Sequence, residues 1–369
     1  MRKFVNFANG DEINFKVSGN LLVSQSIKNG KTRESKKEFT NPEEAQKARV
    51  KKEWETFKKG YVLCDENVNF GQACLHVYIG GGYSGALAFE RCEQSVFIYK
   101  CGDQKDGDQA DFLLVLDKDG CVKEQALLPQ ILAWEAARVG ENLILDLDHT
   151  IYKFDPRTGE FTNLSNELNL RDSGNFYSFV CKGKSKVAFG ASGKIFVTDG
   201  EKVLNFGEFK TTPIKGKAPL CAAFDDDRLA LHTAAGEIKI LGTNGEILNV
   251  IEGKFDVLDQ ICFLNDKMLV AREYYCGKVH CFELSSGREL KFGWQDECGE
   301  ARKICVNEER TKLVMIDYNR AYVVDLASQN AREFEIEHIV KSCEAKFIDE
   351  NLAVRTDYGC FSLYNAALF

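Results

Sequence analysis

The chain has 369 residues, 44% of them hydrophobic and 28% charged, which is enough apolar material for a large core and too much for a disordered chain. It has no apolar run of the roughly eighteen residues that a membrane helix needs, and its start, MRKFVNFANG, does not read as a secretory leader, so a cytoplasmic protein without membrane contact is expected. Residues 1–63 carry 14 Lys/Arg against 8 Asp/Glu and the rest 34 against 48, so a small basic module precedes an acidic body that would repel phosphate backbones.

The basic module opens with short strands. KFVNFA leads, INFKV (13–17) alternates, Ser18-Gly19-Asn20 turns, and LLVSQSI (21–27) returns. Asn29-Gly30 is a strong hairpin signal because both residues tolerate positive φ, and KTRESKKEF (31–39) follows. Asn41 then caps a helix with Pro42 at its first position and Glu43 and Glu44 at its positive end. That helix is expected to reach about Lys59 and to stop at Gly60. Ala45, Ala48, Trp54 and Phe57 face inward, and Lys47, Arg49, Lys51, Lys52, Lys58 and Lys59 face solvent.

This order of strand, turn, strand, Asn-Gly turn, Lys37-Glu38-Phe39, PEEA helix and Lys58–Tyr61 resembles a WGR domain, as in bacterial proteins of the molybdate metabolism regulator type and some poly(ADP-ribose) polymerases. Phe15 stands where that family has the Trp of its F-W-E-I stretch. The resemblance covers residues 1–63 and implies an α+β fold with nucleic-acid contact through the family's Trp and Arg. This chain departs at the motif, where Ser26-Ile27-Lys28 stands in place of Trp-Gly-Arg. Lys28 keeps a charge without the planar fork of Arg. The residues carrying the nucleic-acid reading are Lys28, Arg33, Lys36 and Lys37, together with the lysines of the helix.

After a linker at 64–71, the strand ACLHVYIG (73–80) precedes a repeat. The unit is four short strands, clearest in PLCAAFDD, RLALHTAAG, EIKILGTNG and EILNVIEG (219–253). It recurs from starts near 85, 131, 176, 219, 259, 301 and 341, a spacing of 40 to 46 residues. Glycines at Asp117–Gly120, Asp155–Gly159 and Thr243–Gly245 suit the turn into the outer strand. The last repeat stops after three strands, so the strand at 73–80 is expected to complete it and close a seven-bladed β-propeller over 72–369. The pattern resembles propellers of the WD40-like and quinoprotein-like type, without the G-H and W-D signatures of WD40 repeats.

Chemistry-bearing strings are few. Asp146-Leu147-Asp148-His149-Thr150 is similar to the D-x-D-x-T signature of haloacid-dehalogenase-type phosphatases, which implies an Asp146 nucleophile and an Asp148 acid/base. That chemistry needs a parallel sheet with crossover helices, and the following residues read as a hairpin. The acidic loop Asp103–Asp111 is spaced like a calcium loop but lacks the bidentate Glu. Cys276, His280 and Cys281 have no second pair nearby for zinc. The glycine loop Gly80–Tyr83 lacks the residues of a phosphate cradle. The fourteen cysteines sit singly, mostly in apolar runs such as QICFL (260–264), which suits a reducing compartment.

The expectation is a mainly β protein, a seven-bladed propeller after a small α+β WGR-like domain. It is a non-enzymatic interaction, scaffold or regulatory protein with no metal or cofactor, whose propeller takes a protein or peptide partner. Nucleic-acid binding by the head is the alternative, and phosphatase-like hydrolysis through Asp146 and Asp148 a remoter one.

Overall fold

Strand pairing in the computed structural model, which describes residues 1–65, 67–81, 85–102, 110–170, 178–210 and 221–367, follows the repeat closely. Six antiparallel four-stranded sheets succeed one another over 89–127, 133–163, 178–208, 221–252, 258–290 and 303–335. Each is a blade of a β-propeller, with its first strand innermost. Second strands such as Asn142–Leu147 and Lys312–Asp317 are buried on both faces, which is why they read as unbroken apolar runs.

The cores lie between neighbouring blades. Leu143, Leu145 and Phe154 pack against Phe97 and Tyr99 of the preceding sheet, and Ile238 and Ile240 against Phe263 and Phe282 of the following one. Burying each such side chain stabilises by roughly 1.5–3 kcal/mol. Gly120, at φ +77, makes the turn into an outer strand where a Cβ would lie 2.9 Å from Leu75.

The seventh four-stranded sheet of the sequence reading is not a separate unit. Cys343–Ile348, Asn351–Thr356 and Cys360–Asn365 pair in order, and Cys360–Asn365 takes Ala73–Tyr78 as its neighbour, with Leu363 opposite Leu75. The sheet then continues. Val62–Cys64 pairs with Ala73–Tyr78 on one side and with Arg2–Asn6 on the other. Asp11–Ser18, Leu21–Lys28 and Lys31–Glu38 follow, giving nine strands in one sheet. The outer edge of Ala73–Tyr78 is thus covered, and the exposed edge moves to Lys31–Glu38, whose four lysines and arginines discourage further pairing.

The helix Pro42–Phe57 begins as expected, with Asn41 Oδ1 accepting from the Glu44 amide at 2.9 Å. Its buried face differs. Ala45 and Phe57 are inside, but so are Arg49 at 5% exposure and Glu53 at 0%. The solvated Arg49 of the sequence reading is corrected by an ion pair: its guanidinium bonds Glu53 one turn on and Glu337 of the propeller.

Two outer strands also depart. After Glu160–Asn163 the chain forms a short helix, Leu164–Glu167, capped by Asn163. The strand expected at RELKFGW shrinks to Glu289–Leu290, because Trp294 turns inward on a 3-10 turn and its Nε1 donates to Gln329 at 2.8 Å. Among the described residues no helix is long and apolar enough to cross a membrane.

Candidate functional site

In an antiparallel four-stranded blade, the turn between the second and third strands lies at the same end as the connection to the next blade. On this end, three consecutive sheets expose tyrosines. Tyr274 and Tyr275 (51% and 66% exposed) follow Met268–Glu273, Tyr318 (57%) follows Lys312–Asp317, and Tyr358 (46%) follows Asn351–Thr356. Val340, on the connection into the last sheet, is also exposed.

These groups are linked by contacts. Tyr274 and Tyr275 meet edge to face at 5.0 Å. Gly277, in the same turn, lies so close to the next connection that a Cβ would come within 2.5 Å of the Ala301 oxygen. Arg302 stacks on Tyr318 at 3.7 Å and donates to the Lys341 oxygen at 2.9 Å. Asp357 accepts from the Val340 and Lys341 amides, fixing the turn that carries Tyr358. Tyr358 in turn stacks on Trp54 of the head helix at 4.2 Å. Asp296, Glu297 and Glu300 are exposed on the connection between Tyr275 and Tyr318. The result is one aromatic surface, carrying three exposed carboxylates and Arg302, that ends at the head.

Behind it lies a buried ionic joint. Glu337 accepts from Arg2 at 2.7 Å and from Arg49 at 2.8 Å. His76 Nε2 lies 3.0 Å from Glu337, and its Nδ1 lies 2.6 Å from Ser362. Burial pulls the His76 ring down to about 4. A neutral ring donating to Glu337 and accepting from the Ser362 hydroxyl satisfies both contacts. Burial works against the Glu337 charge, but His76 and the two arginines hold its carboxyl well below the usual range.

The central channel, a cavity of about 400 Å³, is lined by charged side chains and by cysteines. Charges in its lining join blades: Lys346 donates to Glu135 at 2.7 Å and to Glu90 at 3.3 Å, and Lys303 reaches Glu344 at 2.6 Å. Burial opposes the Lys346 charge, yet Glu135 and Glu90 hold the ammonium above the ordinary lysine range. The same lining carries Cys181, Cys221, Cys262 and Cys305, the last of them two residues from Lys303 on one strand. Burial raises these thiols, Cys262 to about 11, so they are protonated and weakly nucleophilic.

The head residues named from sequence all lie on one edge hairpin, Leu21–Lys28 paired with Lys31–Glu38. Lys28 pairs with Asp11 at 3.2 Å, Lys36 with Glu34 at 3.1 Å, and Lys37 lies over Phe39. Arg33 instead enters a groove of about 450 Å³ between sheet and helix, with Ser24, Ser26, Ser35, Lys52 and Lys59.

Asp146 lies on the strand leading into an antiparallel hairpin turn formed by Asp148 and His149, with φ of 46° and 64°. Asp146 is buried and receives the His149 amide at 2.9 Å and the Ser178 hydroxyl. The parallel sheet that phosphatase chemistry needs is not formed by the described residues, which corrects that alternative. His280 is held between Glu273 and Glu289, both at 2.9 Å, while Cys281 is buried. Most of the acidic loop, residues 103–109, and Gly82-Tyr83 of the glycine loop lie outside the described residues.

No protein-family model matches the chain, and no curated protein matches it. Solved structures do. Virginiamycin B lyase from Staphylococcus aureus is similar with a TM-score of 0.55 and 15% identity, over 79% of this chain and 98% of that one. The computationally designed Ika8 protein is similar with a TM-score of 0.50 and 15% identity, over 78% and 99%. At that identity the likeness shows the propeller fold alone. It still overturns the expectation of a non-enzyme: a propeller of similar shape is a lyase, so the fold does not exclude catalysis.

The sequence reading missed the tyrosine surface, although a signal exists. Glu273-Tyr274, Asp317-Tyr318 and Asp357-Tyr358 place an acid-Tyr pair at the same point of three consecutive repeats.

Proposed function

We propose that the chain is a cytoplasmic interaction protein whose propeller receives a basic segment of a protein partner on the tyrosine-bearing face. One observation carries this: Tyr274, Tyr275, Tyr318 and Tyr358 are exposed at the same end of three successive sheets and linked by contacts. Large aromatic side chains supply most contact energy in interfaces, and isolated exposed ones need no explanation, whereas a shared face does. Asp296, Glu297 and Glu300 favour Lys and Arg on the partner. All fourteen cysteines are free thiols, which supports a reducing compartment.

In the same reading, the ring counts seven blades, the last made of Cys343–Ile348, Asn351–Thr356, Cys360–Asn365 and Ala73–Tyr78. The head is WGR-like, supported by its strand order and its PEEA helix. Peptides selected from a random library on the full chain test the surface. Enriched peptides should carry Lys or Arg beside an apolar residue and lose at least tenfold in affinity on Tyr275→Ala with Tyr318→Ala. Peptides indifferent to that change and to Glu297→Lys would contradict it.

The groove holding Arg33, Lys52 and Lys59 beside three serine hydroxyls favours a second reading, nucleic-acid contact by the head. A labelled duplex bound by the full chain at physiological salt, and released by Arg33→Glu with Lys52→Glu, is its expected result. Binding unchanged by those substitutions would dismiss it.

A further inference from the structure

Two carboxylates and two imidazoles converge where the head meets the propeller. Arg49 grips the Oε1 atoms of both Glu53 and Glu337. Each carboxylate then presents its Oε2 to a histidine: Glu337 to His76 Nε2 at 3.0 Å, and Glu53 to His338 Nε2 at 3.7 Å. The ligand atoms of His76, Glu337 and His338 lie within 4.8 Å of one another. The second pair is the informative one. Glu53 Oε2 and His338 Nε2 are both buried, face each other beyond hydrogen-bond reach, and have no hydrogen-bond partner among the described residues. Buried polar atoms are rarely left in that condition.

We propose that His76, His338, Glu53 and Glu337 bind a divalent transition ion of the zinc class, which fastens the head to the propeller. Zinc takes nitrogen and oxygen donors at about 2.0–2.2 Å in a tetrahedron, so ligand atoms on one ion stand roughly 3.3–3.5 Å apart. His76, Glu337 and His338 already stand within 4.8 Å of one another, and Glu53, outside that group but 3.7 Å from His338 Nε2, must turn its carboxylate to become the fourth donor. The supporting shell is in place. Ser362 meets His76 Nδ1 at 2.6 Å and can accept the proton that moves there when Nε2 takes the ion. Arg49 holds the carboxylate oxygens that face away.

Arg2 is the competitor, since its Nη1 lies 2.7 Å from Glu337 Oε2 and 2.9 Å from Oε1. Two arginines already balance the two carboxylates, so an ion adds positive charge. Arg2 also reaches the second carboxylate, its Nε 3.1 Å from Glu53 Oε1, and with a side chain 28% exposed against 7% for Arg49 it is the arginine that must leave for an ion to enter. The donors come from the head helix, the strand Ala73–Tyr78 and the connection before Cys343–Ile348, so one ion would tie three segments remote in sequence.

The test uses the full chain, stripped with chelator and titrated with cobalt(II) and then zinc. One ion per chain is expected, with the visible bands of four-coordinate cobalt and a raised Tm. Glu53→Gln and His338→Gln should each weaken binding at least tenfold, and Arg2→Ala should tighten it. If a variant fails to fold, the cobalt spectrum and stoichiometry of the unaltered chain decide alone. A featureless spectrum in both the unaltered chain and Arg2→Ala overturns the proposal. So does an ion retained in a folded His338→Gln protein, which would place it elsewhere.

Discussion

Arg49, on the helix of the head, donates to Glu337 at 2.8 Å across 288 residues of chain. Both groups are largely buried, so removing either leaves the joint of two arginines and two carboxylates with one uncompensated charge. Breaking such a pair typically costs about 3–5 kcal/mol, whereas an exposed pair is worth about 0–1. Arg49→Ala and Glu337→Ala should each lower stability by several kcal/mol in denaturant unfolding. Lys36→Ala, which breaks only the exposed pair with Glu34, should change it by less than about 0.5 kcal/mol. Equal small effects would mean that the joint is solvated.

Ring closure depends on packing as well as on pairing. Phe361 is fully buried, lies opposite Val77 and meets Phe89 of the first blade at 5.3 Å. Phe361→Ala should destabilise by about 3–5 kcal/mol. The transition midpoint would fall while the far-UV spectrum of the folded state stays unchanged.

Asp146 gives the fold a dependence on pH. Burial raises its carboxyl to about 6, partly offset by the bonds from Ser178 and His149. The folded form therefore holds a proton that the unfolded form releases between about pH 4 and 6. This contribution to stability is complete below about pH 4 and is lost as pH rises through 6, up to about 3 kcal/mol. Asp146→Asn should flatten the stability profile in that window, as read by urea midpoints at pH 4.5 and 6.5.

The thiols should divide by burial. Cys276 is exposed in the turn beside Tyr275, while Cys221 and Cys305 are buried beside the channel. At pH 8, Cys276 is expected to react first with a disulfide reagent. Cys221 and Cys305 should react only on unfolding, as peptide mapping of the labelled protein would show.

Much of the architecture was legible because it rests on local signals. Repeat spacing, Gly turns such as that at Gly120, and the capped start at Asn41 all act within a few residues. The pairing of Leu363 with Leu75 was legible for another reason: a three-stranded last repeat and a spare strand leave one way to avoid an open edge. What escaped depends on contacts between remote segments. Arg49 reads as one more lysine-like residue on a basic helix until Glu337 is brought beside it. Val62–Cys64 is too short to read as a strand, yet it carries the sheet from ring to head. The acid-Tyr pairs were visible as letters, but their common face emerges only when the blades are stacked. The contacts of Lys28 with Asp11, Lys36 with Glu34 and Lys37 with Phe39 could not be read from the letters either, because each depends on strand register.

Hydrogen exchange tests most directly whether head and ring form one continuous sheet. The amides of Val62–Cys64 and Ala73–Tyr78 should exchange as slowly as those of Cys360–Asn365, and only through global unfolding. Rapid exchange at Val62–Cys64 while Cys360–Asn365 stays protected would contradict it.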